Sequence, residues 1–190
     1  MNKNIQKLGY DWVTLSSDKI NLDDYYCQTR NIFQARLNKM INILSKNSKI
    51  NESKIYIASA IAGEIGNNSF DHNLGNWPDI IGIFFGYNFE KNKLEIILAD
   101  RGQGILKTLK RVKPELKNDS EALKTAFTER ISGRAPENRG NGLKFSKESV
   151  EKENMSLTFI SGNARADLNK KMEIKKIEKN INGCLAILTF

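Results

Sequence analysis

Histidine and cysteine are scarce in this chain of 190 residues, which has one His, His72, and two Cys, Cys27 and Cys184. The two thiols lie far apart and belong to no ligand-spaced cluster, which argues against a disulfide scaffold and against a zinc site. Cys184 sits in an apolar run and reads as a small core residue. Long hydrophobic runs are missing too: the longest, such as IGIFF at 81–85, are far too short to cross a bilayer. The first ten residues, MNKNIQKLGY, have no apolar signal-peptide core. No Pro- or Ser-rich linker divides the chain, and no repeat of supersecondary size occurs. One domain, 1–190, in a reducing cytoplasm with no membrane association is the expectation.

A formal charge of +8 would suit a polyanionic partner such as nucleic acid, an acidic protein or a nucleotide. The lysines are interleaved with Asp and Glu, however, and few aromatics accompany them, so nucleic acid is disfavoured. Apolar residues at helical spacing mark helices over 30–45 and 52–72. DIIGIFFGYN and KLEIILAD read as a hairpin turning at FEKNK. Short helices follow near 105–111, 119–130 and 142–152, and MSLTFIS, KMEIKKIEK and GCLAILTF close the chain as three strands. Within 1–50, DWVTLS is expected as a strand beside one helix, an extension that completes the fold or offers a dimer surface; 51–190 is the core. Adjacent strands that do not alternate strictly with helices favour a two-layer α+β sandwich over a parallel sheet.

The informative segment is IAGEIGNNSFDH, 61–72. Ile57, Ile61 and Ile65 with Ala58 and Ala62 form one apolar arc, and Glu64, Asn68 and His72 place polar groups along its edge at i, i+4, i+8. Burying such groups unpaired costs about 1–3 kcal/mol each, so protein groups or a ligand must satisfy them. For Asn67 and Asp71 a polar, turn-forming helix end serves equally well. Two glycine pairs follow: Gly102 and Gly104 in ADRGQGI after Asp100, and Gly140 and Gly142 in RGNGL.

Glu64-x-x-x-Asn68-x-x-x-His72 resembles the N-box of the GHKL, or Bergerat-fold, ATPases, and is especially similar to that of the anti-sigma-factor serine/threonine kinases. ADRGQGI resembles their G1 box and RGNGL their G2 box, in the same order and over roughly 50–190. The resemblance implies a mixed, mostly antiparallel sheet with helices on one face, binding ATP and Mg2+. It implies that Asp100 accepts the adenine amino group and that Gly102 and Gly104 let the backbone approach base and ribose. Asn68 would ligate magnesium, and His72 completes the N-box. Gly140, Gly142 and the helix starting near Leu143 would face the phosphates, with Arg134, Arg139 and Lys144 as clamp candidates. Glu64 would be the general base for a Ser or Thr on a small protein partner. The sequence departs from many relatives at Gly183-Cys184, where they have Gly-Thr. A lone histidine inside the N-box excludes a self-contained histidine kinase. An ATP-gated protein-binding switch with little turnover would use the same motifs.

Overall fold

In the computed structural model, residues 4–22, 24–47, 50–131 and 141–190 are described. Seven strands form one sheet in the order β1-β2-β3-β7-β4-β5-β6, antiparallel at every pairing. They are β1 Tyr26–Cys27, β2 Ile83–Glu90, β3 Lys93–Asp100, β4 Ser156–Ser161, β5 Ala164–Leu168, β6 Met172–Lys176 and β7 Cys184–Thr189. The helices are α1 Ile5–Thr14, α2 Arg30–Asn47, α3 Glu52–Asn73, α4 Gly104–Leu109, α5 Asp119–Thr128 and α6 Gly142–Lys152. Among the described residues no helix is long and apolar enough to cross a membrane.

The main core fills the space between the sheet and α2, α3, α5 and α6. Phe33, Leu37, Met40 and Leu44 of α2 meet Ile55, Ala58, Ile61 and Ile65 of α3, all buried, over Ile96 and Leu98 of β3. Asn51 caps α3 by accepting the Ser53 N–H at 2.8 Å, which satisfies one of the orphan donors of the first turn. The β2–β3 hairpin turns at Lys91 and Asn92, both at positive φ, the conformation a two-residue turn needs to match strand twist. The expected α+β sandwich is thus present, with the helix pairs where their apolar stripes predict them.

One feature adds to that expectation and two correct it. Alternate residues of a strand face opposite sides, and the second face of the sheet is also covered. Ile97 and Ala99 of β3, Phe84 of β2 and Leu185 of β7 pack there against Ile5, Trp12 and Val13 of α1. Helices therefore lie on both faces and not on the one expected, with α1 alone on the second. The expected strand DWVTLS is the other correction, since Asp11, Trp12, Val13 and Thr14 end α1. Trp, Val and Thr favour strands locally, but Ile5, Gly9, Trp12 and Val13 share a helical stripe, and burying it on the sheet decides the outcome. A strand absent from the expectation, β5, is built from short alternation: Ala164, Ala166 and Leu168 point inward, while Arg165 and Asp167 pair outward at 2.7 Å.

Candidate functional site

Strand order brings three polar side chains into one row. Asp100 ends β3, Cys184 begins β7 and Ser161 ends β4, and the register pairs Asp100 with Cys184 and Cys184 with Ser161. Each lies an even number of residues from the inward-facing Leu98, Ala186 or Phe159, so all three face the helix layer. Above them pass the last turns of α3. Asn68, Ser69, His72 and Asn73 of that helix join Asp100, Cys184, Gly104, Ile105, Thr108 and Leu143 around a cleft enclosing about 370 Å3, its open mouth included.

Asp100 is 3% exposed. Ser69 donates its hydroxyl to Asp100 Oδ2 at 2.7 Å, and the Gly102 N–H donates to Oδ1 at 2.8 Å. Burial pushes the Asp100 carboxyl above the usual Asp range, while the donors from Ser69, Gly102, Cys184 and Asn73 pull the other way. Cys184 is held well above the ordinary thiol value by burial and then by the Asp100 charge, so it is an unreactive thiol. Its Sγ donates to Ser161 Oγ at 3.6 Å, and that oxygen also receives the Ile105 N–H at 2.9 Å. Gly183, next to this row, has φ +70°, and a Cβ there would stand 2.1 Å from the Asp100 carbonyl. Only glycine fits that turn.

The polar residues of the last turns of α3 split by helix face. Asn68 and His72 open on the cleft. Asn67 and Asp71 turn to α2, where Gln34 donates to Asn67 at 3.0 Å and Arg30 pairs with Asp71; these two hold the helices together. Glu64 is exposed. A Cβ on Gly142 would stand 2.5 Å from Glu64 Oε2 and 3.3 Å from Asn68 Nδ2. The Glu64 carboxylate and the Asn68 amide therefore converge on the first residue of α6.

Of the remaining expected residues, Gly104 and Leu143 line the cleft and Gly102 does not. The space a Gly102 side chain would take is filled by the Asn73 amide, which accepts the Gln103 N–H at 2.9 Å. Gly102 thus admits a side chain of the protein itself. Lys144 is half-buried on α6, outside the cleft lining. Arg134, Arg139 and Gly140 lie outside the described residues. Ser69, Asn73 and Ser161 are the site residues that sequence reading missed. Ser69 and Asn73 sit one position beyond Asn68 and His72, a spacing that could have flagged them, whereas only strand order reveals Ser161.

Gly142 yields a sharp expectation. Ala at this helix-starting position favours the helix by about 0.5–1 kcal/mol, and the carboxylate end of an exposed Glu64 can swing aside. Gly142→Ala should therefore melt at or above the wild-type temperature while displacing Glu64 and weakening any ligand bound between α3 and α6. Thermal unfolding and calorimetric titration read the two effects separately; a drop in stability would show that Glu64 cannot yield.

In comparisons with known proteins, no family model matches the chain and no curated protein matches it.

Proposed function

We propose that the chain is a Mg-ATP-binding protein of the GHKL type that phosphorylates a serine or threonine of a small protein partner in the cytoplasm. The observation that carries this reading is Asp100: a carboxylate buried at a strand end and open to the same cleft as Asn68. Burying a carboxylate costs free energy, which the Ser69 and Gly102 donors offset in part. Because the carboxylate only accepts hydrogen bonds, it suits the amino group of adenine and repels the carbonyl that guanine presents in its place.

The residues present suit the nucleotide and its cation. Ile65, Ile105, Leu143 and Phe159 give the cleft apolar walls for a base. Asn68 offers an amide oxygen of the hard kind magnesium takes, the other ligands coming from phosphates and water. Among the described residues no three His, Cys, Asp or Glu side chains gather into a metal site of their own, which fits a cation held chiefly by its nucleotide. The start of α6 adds a partial positive charge where phosphates would lie.

Bound ATP would supply the γ-phosphoryl group to the partner's hydroxyl and leave as ADP, while the chain's own residues would orient the reactants and remove the hydroxyl proton. Glu64, exposed at the cleft's edge, is free to meet a partner's hydroxyl and take its proton, directly or through one water. Glu64→Ala should cut phosphoserine or phosphothreonine formation about 10²- to 10⁴-fold and leave ATP affinity nearly unchanged. Radiolabelled ATP with the captured partner is the assay. Undiminished transfer by the variant would remove Glu64 as base. Nucleotide-dependent partner capture without transfer, in wild type and variant alike, would establish the ATP-gated switch instead.

A further inference from the structure

A second cavity opens on the other side of the Gly102–Gly104 turn and encloses about 880 Å3 with its mouth. Its rim carries Lys107 from α4, Lys110 from the cap just past its end, Asp119 from the start of α5, and Asn180 and Asn182 from the segment before β7. Gln103 forms a fixed wall, donating to the His72 carbonyl at 2.6 Å and accepting from Arg111 at 2.8 Å. Asp119 Oδ2 accepts the Asn163 N–H at 3.0 Å.

Lys107 and Lys110 are three residues apart on one helical face, where like charges repel. Four lysines, Lys7, Lys113, Lys147 and Lys175, pair with a carboxylate; like most other described lysines, the two of this rim do not. Among the described residues neither Lys107 nor Lys110 has an ion-pair partner, and the side-chain amides of Asn180 and Asn182 have no hydrogen bond. Asp119 is the one carboxylate in the lining. Two unpaired ammonium groups, two open amides and one partly engaged carboxylate face a cavity of small-molecule size.

We propose that this cavity binds a small organic phosphate, its phosphoryl oxygens on Lys107 and Lys110 and a hydroxyl of its carbon skeleton donating to Asp119. Ammonium groups serve as point-charge phosphate ligands, and the carboxylate selects against ligands that carry negative charge at both ends. The site lies across the Gly102–Gly104 turn from the Asp100 cleft, with Gly104 lining both.

The test is a titration of the full chain with glycerol 3-phosphate, followed by amide NMR shifts. Saturable shifts are expected at Gly162, Asn180 and Asn182, and they should persist in Asn68→Ala. In the Lys107→Ala/Lys110→Ala double variant, which alters only exposed side chains, affinity should fall roughly tenfold or more. Inorganic phosphate should bind more weakly than the glycerol ester, since it brings no carbon skeleton to reach Asp119. Absence of saturable shifts at those amides, equal binding by the double variant, or shifts confined to Ile65 and Thr108 in the other cleft would each overturn the proposal.

Discussion

Asp100→Asn should lose adenine-selective nucleotide binding and, without ligand, melt a few degrees above the wild type at neutral pH. Both effects have one cause. The carboxylate is buried and held by Ser69 and Gly102. The amide that replaces it can keep the Gly102 N–H on its oxygen and donate to Ser69 Oγ with its nitrogen, so the local geometry survives. What disappears is the cost of a desolvated charge. Because burial raises the folded-state pKa of Asp100, this group's contribution to stability is full below the ordinary Asp value of about 4 and is lost as pH rises through the raised value. The variant has no such loss, so its advantage over wild type should widen from acid to neutral pH. Binding changes in the opposite direction. Asn can present its NH2 to the adenine amino group, donor against donor, and a hydrogen bond to a charged acceptor is worth about 1.5–3 kcal/mol. ATP affinity should therefore fall about ten- to a hundredfold, with GTP no worse than before. Calorimetry with ATP, ADP and GTP and melting curves from pH 4 to 8 would check both halves. An unchanged preference for adenine would sink the role given to Asp100; a less stable variant would mean that its charge is needed for folding.

The parts of this site that were legible in the sequence are those that periodicity carries. Ile57, Ile61 and Ile65 fix the inward face of α3, and from them Asn68 and His72 can be placed at the cleft's edge before any coordinates. Asp100 could be read from an apolar strand ending in a carboxylate and glycine. Ser161 could not: it reaches Cys184 only because β7 inserts between β3 and β4, and nothing local encodes that order. DWVTLS misled because strand propensity and helical spacing disagreed over six residues. The spacing prevailed through contacts with Phe84, Ile97 and Leu185, some 70 to 170 residues away in the chain. Arg101 was hidden for the opposite reason. Inside ADRGQGI it looks like a turn residue, yet it is 2% exposed.

That arginine supports the second large expectation. Arg101 Nε and Nη2 donate to Asp79, at 2.9 and 2.6 Å, while Nη1 donates to the carbonyls of Trp12 and Leu15 at 2.5 and 2.9 Å. Those carbonyls sit at the C-terminal end of α1, where helix oxygens lack partners and a cation is favoured. Asp79→Ala would leave a buried guanidinium with carbonyls alone. The Asp79 side chain is 30% exposed, so the expected loss is about 2–3 kcal/mol, below the range for a fully buried pair. Arg101→Met removes the charge and keeps most of the volume, so it should cost less than Asp79→Ala despite losing more hydrogen bonds. Hydrogen bonding from Arg101 lowers the Asp79 pKa. That stability is present above the ordinary Asp value of about 4 and is lost as pH falls through the lowered one, so the difference between wild type and Asp79→Ala should shrink in acid. Urea unfolding followed by tryptophan fluorescence measures each term, and an Asp79→Ala stability within about 0.5 kcal/mol of wild type would reject the anchor. The two predictions meet at one peptide bond. Asp100 points to the helix layer and Arg101 to α1 on the other face, so the anchor that clamps α1 also fixes the strand end from which the carboxylate reaches the cleft. Loosening Asp79 should accordingly weaken ATP binding without touching the cleft, and binding that stays at wild-type strength after α1 has loosened would separate the two faces of the sheet.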